Sequence, residues 1–161
     1  MIKLIPTNPS DIPTIYNLAV KIWNHHYVPI VGQEQVDYML AKIYSSEDLT
    51  LQMTEKKHQF YLIEIDEDVR GFISVSGEED MFIHKFYIDQ DIQGKGHGAE
   101  TFHELLCLYP SVKSLTLTVN RSNYKSINFY FKLGFKIDHV ADFDIGQGYF
   151  MNDFVMKWER R

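Results

Sequence analysis

The segment IDQDIQGKGHGAE, Ile88–Glu100, decides how this chain is interpreted. It follows an apolar run and precedes an amphipathic one, so it is predicted to join a β-strand to an α-helix. Gly94, Gly96 and Gly98 would let the main chain turn sharply and approach a ligand closely. Main-chain N–H groups at the start of a helix favour a phosphate or pyrophosphate, and Lys95 would add positive charge. Glycine turns also serve simply to start helices, so both interpretations stay open on these residues alone.

Two common nucleotide-binding loops do not fit this segment. The stretch GKGHG lacks the Ser or Thr that follows the lysine of a phosphate loop and binds magnesium. A dinucleotide-binding fold is equally disfavoured, because the two strands predicted before the loop form an antiparallel hairpin.

The order of predicted elements indicates an α+β (mixed α/β) fold. Apolar residues recur at helical spacing over Ile12–Trp23, with Asn8 or Ser10 as cap, and over Val36–Ile43, after a break at Pro29 and Gly32. A further short helix begins at Ser45 or Ser46. The later predicted elements are strands Gln59–Ile65, Val69–Ser76 and Met81–Ile88, helix Ala99–Tyr109, strand Leu115–Val119, helix Tyr124–Leu133, and strands Phe135–Val140 and Tyr149–Trp158.

The glycine loop and its helix would connect two parallel neighbouring strands. Strand, loop, helix and strand form a βαβ crossover, so Met81–Ile88 and Leu115–Val119 are predicted to be a central parallel pair in a twisted, mostly antiparallel sheet flanked by helices. Apolar residues in the first of these strands do not alternate strictly. A β-bulge between Ile83 and Phe86 would explain that irregularity.

Composition limits the class of protein. The 161 residues, 45% of them hydrophobic and 24% charged, predict a single folded domain over residues 1–161. A net charge of −6 argues against a nucleic-acid partner. The sequence contains neither a membrane-length apolar stretch nor a leader-like start, so we expect a cytoplasmic protein without a membrane partner.

Cysteine and histidine provide no further candidate centre. Cys107 is the only cysteine and lies in the apolar run LLCLY, which predicts a small buried hydrophobe rather than a nucleophile. The histidines show no metal-ligand spacing, so no metal is predicted.

Two motifs together resemble the GCN5-related N-acetyltransferase (GNAT) superfamily. The coenzyme motif of that family is Gln or Arg, two residues, Gly, any residue, then Gly or Ala, and QGKGHG fills it with Gln93, Gly96 and Gly98. The second motif is Asn, a small residue, an aromatic pair and Gly-Phe, and it matches NYKSINFYFKLGF, which starts at Asn123. The specific motifs cover only about Met81–Phe135.

The resemblance implies acetyl-CoA as cosubstrate. The main chain of the glycine loop would hold the pyrophosphate, and the main chain of the preceding strand would pair with the pantetheine arm. Lys125 would reach the phosphates or be an exposed helix lysine. The residues expected to bind acetyl-CoA are Phe86, Tyr87, Ile88, Gln93, Gly94, Lys95, Gly96, His97, Gly98, Asn123 and Lys125.

Catalytic roles are also implied by the resemblance. Tyr130 matches the tyrosine that protonates the departing thiolate, and its alternative is an aromatic packing residue. His84 corresponds to a histidine proposed as base in the serotonin acetyltransferase branch, since its ordinary pKa near 6.5 suits that role. A plain strand histidine is the alternative, with Glu64 and Glu78 as other candidate bases.

The expected function is direct acetyl transfer in a ternary complex to the primary amine of a small molecule. A polyamine is one candidate acceptor, because the acidic cluster Glu78–Asp80 and the net negative charge attract polycations. Trp23, Tyr27, Tyr38 and Met39 would line an acceptor pocket or belong to the core. The alternatives are a non-catalytic acyl-CoA-binding module and a homodimeric interaction protein.

Overall fold

The computed structural model describes residues 1–161, with six α-helices and seven β-strands. The strands are β1 Ile2–Pro6, β2 Gln59–Ile65, β3 Asp68–Gly77, β4 Asp80–Ile88, β5 Ser114–Asn120, β6 Lys136–Gly146 and β7 Tyr149–Glu159. The helices are α1 Ile12–His26, α2 Val28–Val31, α3 Gln33–Ile43, α4 Ser46–Thr54, α5 His97–Leu108 and α6 Tyr124–Leu133.

The predicted cap at Asn8 lies on a short 3-10 turn, Pro9–Asp11, that leads into α1. The Asn8 side chain accepts a hydrogen bond from Ser10 N, and the Asp11 carboxylate accepts one from Asn8 N, which completes a capping box around a short 3-10 turn. The apolar stripe of α1 is buried, as its spacing predicts: Ile12, Ile15, Ala19, Ile22 and Trp23.

The predicted break at Pro29 and Gly32 is confirmed, because α1 ends at His26 and α3 begins only at Gln33. Pro29 lies near the start of α2, a position where its fixed φ fits a helix and its missing N–H has no partner to lose. The short helix α2 ends before Gly32, whose φ of +86° favours glycine. The predicted cap at Ser45 is confirmed, since its hydroxyl accepts a hydrogen bond from Asp48 N at 3.1 Å.

The sheet confirms the predicted topology. Its strand order is β1-β2-β3-β4-β5-β7-β6, and β4 and β5 are parallel while β1–β2, β2–β3, β5–β7 and β6–β7 are antiparallel. Strand β6 runs to Gly146, beyond the predicted end at Val140.

The parallel pairing is short. Only Asp80–Phe82 and Ser114–Thr116 form residue pairs, although both strands continue beyond them. The acidic cluster Glu78–Asp80 is exposed, as expected of a loop. Two of its side chains also stabilise the first residues of the parallel pair. Lys113 Nζ lies 2.6 Å from Glu79 Oε2, and the Ser114 hydroxyl donates to Asp80 Oδ1 at 2.6 Å.

The irregular apolar pattern of β4 includes one buried charged residue, and the expected β-bulge stays a prediction. Met81, Ile83 and Lys85 are all buried while the residues between them are not, so burial alternates through the stretch where a bulge was predicted. The polar residue that interrupts the apolar pattern is Lys85, whose side chain is buried. The structure places register shifts in the β2–β3 and β6–β7 pairs.

The chain forms two compact units. Met1–Ser76 and Lys85–Pro110 form the first unit, and Gly77–His84 and Ser111–Arg161 form the second. Strand β4 therefore contributes its beginning to the second unit and its end to the first.

Cys107 is exposed, so the prediction of a buried hydrophobe is wrong. It lies on the solvent side of the last turn of α5, and its Sγ is 3.7 Å from His103 Nε2.

No helix of the chain is both long and apolar enough to span a bilayer. No group of three or more His, Cys, Asp or Glu side chains is arranged to hold a metal ion.

Candidate functional site

The glycine loop of the first unit presents a row of main-chain N–H groups. Gly94 and Gly96 have φ values of +83° and +86°, and Gly96 is the N-cap of α5. Gln93 N donates to Gln90 O, and the next main-chain hydrogen bond is from Glu100 N to Gly96 O. The N–H groups of residues 94–99 have no main-chain acceptor, as is usual for the first turn of a helix.

This loop fits a diphosphate. A Cβ added at Gly94 or Gly96 would meet no atom within 4 Å, so the space around the turn is open. Both glycines adopt the left-handed conformation that other residues rarely do, and Lys95 between them is exposed. Open N–H groups at the positive end of a 12-residue helix attract an anion.

The end of β4 lies beside the loop. The Gln93 side chain donates through Nε2 to Ile88 O at 2.9 Å, which ties the loop back to the strand. Phe86–Ile88 lie past the end of the β4–β5 pairing. His97 is half-buried at the first position of α5, and its Nδ1 is buried without a hydrogen-bond partner. The predicted coenzyme residues of this unit are therefore contiguous in the structure.

Asp89 links three elements around the loop. Lys21 of α1 lies 2.8 Å from carboxylate oxygens of both Asp89 and Asp91, and Arg70 of β3 lies 3.5 Å from Asp89. Asp89 N also donates to Arg70 O at 2.7 Å. Burial opposes ionisation of Asp89, but the Lys21 hydrogen bond, the Asp91 N–H and both cations outweigh it and lower the pKa of the carboxyl.

An aromatic cluster in the first unit includes two of the predicted acceptor-pocket residues. The Trp23 ring lies 4.4 Å from Tyr27, 5.7 Å from Tyr44 and 6.0 Å from Tyr87, between ring centroids. Tyr87 also contacts Phe72 at 5.5 Å. Trp23 is only 5% exposed, so this cluster is part of the core as well as a neighbour of β4.

The other two predicted pocket residues lie elsewhere. Tyr38 is half-buried and pairs with Lys42, whose Nζ lies 5.6 Å from the ring centroid. Met39 is 3% exposed and belongs to the core.

Lys85 is a buried charge that sequence reasoning missed. Its Nζ donates to Gln52 Oε1 at 2.6 Å and lies about 5.5 Å from the ring centroids of Tyr44 and Phe60. Burial lowers the pKa of Lys85 to about 8, with Asp48 acting in the opposite direction. The sequence does carry a signal for this burial, because Lys85 follows Met81 and Ile83 at the alternating positions of β4.

In the second unit, Asn123 has a structural partner. Its side-chain oxygen accepts a hydrogen bond from Ser126 N at 3.2 Å, which caps α6, and the residue is 3% exposed. Lys125, in the first turn of α6, is exposed. Both residues lie at the helix start that the sequence predicts.

Tyr130 and His84 also belong to the second unit. Tyr130 is 8% exposed and packs against Phe129 and Phe135, with ring centroids 5.3 Å and 5.5 Å away. His84 is half-buried, and its ring lies 4.8 Å from that of Phe82. Aromatic packing of Tyr130 is therefore real, and its acid role stays a prediction, as does the role of His84 as base.

The two other candidate bases lie on different elements, and a role for either as base stays a prediction. Glu64 pairs with Lys3 between β2 and β1 at 3.7 Å, and Glu78 lies in the exposed turn before β4.

Comparison with known proteins now decides the family. The profile of the acetyltransferase (GNAT) domain matches residues 27–144. The chain belongs to this family. The predicted family and fold class are confirmed, and Gln93, Gly96, Gly98 and Asn123 all lie inside the matched range.

Relatives in sequence carry N-acetyltransferase names. The chain is 35% identical over 85 residues to the peptidyl-lysine N-acetyltransferase YjaB of Salmonella typhimurium, which covers 52% of this chain and 54% of that one. The match thus spans about half the length of that relative. An uncharacterized N-acetyltransferase of Mycobacterium bovis is 26% identical over 151 residues, 91% of this chain and 96% of its own.

Solved structures share the fold over the whole chain. The PaiA N-acetyltransferase of Thermoplasma acidophilum in complex with coenzyme A matches with a TM-score of 0.81 at 22% identity, covering 99% of both chains. A SpeG spermidine N-acetyltransferase chimera from Vibrio cholerae and hSSAT matches with a TM-score of 0.68 at 16% identity, covering 98% of this chain and 95% of that chain.

Proposed function

We propose that the protein transfers an acetyl group from acetyl-CoA to the primary amine of a small molecule. The single observation that carries this proposal is the open row of N–H groups over residues 94–99, presented by a left-handed glycine turn at the start of α5. Family membership supplies the ligand chemistry, because a diphosphate linked to a thioester arm fits that row and the adjoining strand.

The coenzyme would be bound mainly by main-chain groups. The N–H groups of the loop would bind the pyrophosphate, with Lys95 and His97 adding polar contacts. The main chain of Phe86–Ile88 would pair with the pantetheine arm. An N–H of Phe86 or Tyr87 would then stabilise negative charge on the thioester oxygen as the amine attacks.

Proton transfers complete the reaction. The neutral amine attacks the thioester carbon, the bond from that carbon to sulfur breaks, and the departing thiolate takes a proton from Tyr130. The proton lost by the attacking nitrogen goes to His84, directly or through water. An alkylamine with a pKa near 10.4 is only about one part in a thousand neutral at pH 7.4, so a base at the site raises the reactive fraction.

The acceptor class is a primary alkylamine. The YjaB relatives are named for peptidyl-lysine, and SpeG is named for spermidine. Both names describe a primary amine on an alkyl chain. We therefore propose a small alkylamine as acceptor. A lysine peptide is the alternative acceptor, and the thiol-release assay below compares the two.

A matched pair of glycine variants tests the coenzyme site. Gly96→Ala and Gly148→Ala both place alanine at a positive φ with no atom near the new Cβ, but Gly148 lies in the β6–β7 turn. Each should lose about 1 kcal/mol of stability from backbone strain. Only Gly96→Ala should weaken acetyl-CoA binding, measured by calorimetry.

Turnover is measured by thiol release across spermidine, a lysine peptide, amino acids and aminoglycosides. Release with an alkylamine supports the proposed enzyme. Stabilisation by acetyl-CoA without release for any amine would leave the non-catalytic acyl-CoA-binding module. Absence of any response to acetyl-CoA would refute the coenzyme site.

A further inference from the structure

Asp153 of β7 is a buried carboxylate with few polar neighbours. The residue is 1% exposed, and the Thr118 hydroxyl is the one side-chain donor close to its carboxylate oxygens. The neighbouring cation, Arg121, makes its hydrogen bonds to other acceptors. It donates through one nitrogen to the main-chain oxygen of Asp153 and through another to the Asp142 carboxylate. Buried carboxylates are normally paired or richly hydrogen-bonded, so this one is an exception that requires an explanation.

The carboxyl is charged at neutral pH in spite of its burial. Burial raises the pKa of Asp153 to about 6; the Thr118 hydroxyl and Arg121 lower it, and Asp142 raises it further. Above that pH the second unit holds a desolvated negative charge that Thr118 and Arg121 offset only in part, since Arg121 also pairs with Asp142. A cationic ligand would supply the missing charge.

Strand register places Asp153 on the same face of the sheet as His84. Phe82 pairs with Thr116 and shares its face with His84, two residues further along β4. Thr118 lies two residues along β5 from Thr116 and pairs with Val155, which in turn lies two residues from Asp153. The second unit therefore presents a polar strip of His84, Thr118, Asn120 and Asp153 across β4, β5 and β7.

The strip separates its two ionisable ends. Neighbouring strands lie about 4.8 Å apart, so β7 is two strand spacings, roughly 10 Å, from β4. Asp153 is thus too far across the sheet to exchange a proton with an amine held at His84. Thr118 lies between the two ends of the strip, and Asn120 lies opposite Asp153. Both residues are half-buried.

We propose that Asp153 binds a second cationic group of the acceptor, remote from the amine that is acetylated. The inference rests on the proposed function, because it takes β4 as the strand where the reacting amine lies. It narrows the acceptor class to aliphatic amines that carry a further positive charge, such as diamines. The bound cation adds to the partial compensation that Thr118 and Arg121 give the buried carboxylate in the free protein.

Two acceptors of equal chain length make the test specific. Hexamethylenediamine and hexylamine differ only in the second amine. The wild-type enzyme is expected to show a kcat/KM at least tenfold higher for the diamine. Asp153→Asn should reduce kcat/KM for the diamine to the hexylamine level and leave hexylamine unchanged. The matched control is Asp138→Asn on β6, an exposed carboxylate whose loss should change neither value.

A pH series gives the same comparison without a variant. At pH 5 the Asp153 carboxyl is protonated, so the ratio of the two kcat/KM values should fall towards one, while ionisation of the acceptor amine affects both substrates alike. A ratio that persists at pH 5, or an equal loss for both acceptors in Asp153→Asn, would overturn the inference.

Binding separates this inference from the enzymatic proposal. Without coenzyme, hexamethylenediamine should raise the melting temperature of the wild-type protein and not that of Asp153→Asn. That difference would support the cation site even if no amine released thiol, an outcome that would overturn only the proposed function. Equal shifts in the two proteins, or no shift in either, would overturn the cation site.

Discussion

Replacing Gly71 by alanine tests the approach of β3 to the proposed pantetheine strand. A Cβ at Gly71 would lie 2.2 Å from Tyr87 O and 3.1 Å from the Ile88 Cα. Both obstacles are main-chain atoms, which cannot rotate away as a side chain does. The strands must separate by about 1.2 Å to restore an ordinary van der Waals contact.

The expected loss has two parts. Overpacking of this kind costs about 3 kcal/mol in the free energy of unfolding, at the upper end of the usual range because main chain must move. A displacement of about 1 Å at groups that position a substrate lowers activity by about 10²-fold. Urea denaturation measures the first effect, and calorimetry with acetyl-CoA together with kcat/KM measures the second.

Gly148→Ala is the control, since its new methyl group meets nothing and only backbone strain of about 1 kcal/mol is expected. The reasoning would be refuted if Gly71→Ala cost no more than this control and left acetyl-CoA affinity unchanged.

Three further predictions concern single side chains. Lys85 has a pKa of about 8 when folded and near 10.5 when unfolded, so between these pH values the unfolded chain binds the extra proton and stability rises with pH, by up to about 3 kcal/mol. Lys85→Met should abolish that rise in urea denaturation at pH 7.5 and 10, whereas Lys42→Met, at an exposed lysine, should retain it. Tyr130→Phe should lower kcat tenfold or more with acetyl-CoA affinity unchanged, and an unchanged kcat with chemistry rate-limiting would remove its acid role. His84→Ala should lose the acidic limb of the pH–rate profile, and a retained limb would exclude His84 as base.

The element order could be predicted because local signals agree with the fold. Asn8 and Ser45 cap the turns they were expected to cap, and the glycine loop lies between a strand and a helix as its sequence indicates. Gly134 adopts the left-handed conformation that ends α6. These features depend on residues close in sequence, where propensity and capping decide the structure.

The departures depend on tertiary neighbours. Lys85 is buried because Gln52 and two aromatic rings receive it, and none of these is near it in sequence. Cys107 is exposed because the apolar face of α5 is satisfied by Phe102 and Leu105, which leaves the cysteine on the other side. The burial of Asp153 likewise follows from strand pairing with residues 33 and 12 positions away, Asn120 and Ala141.

The carboxylate of Asp89 has a consequence for how strongly the two ligands affect each other's binding. It is shared by Lys21 of the first helix and by the turn that leads into the glycine loop. A coenzyme that fixes this turn would also reduce the motion of α1. An acceptor that binds against α1 would likewise reduce the motion of the turn. Such coupling is reciprocal, so each ligand tightens the other by the same factor. The mutual tightening of acetyl-CoA and acceptor would then depend on the Lys21–Asp89 ion pair.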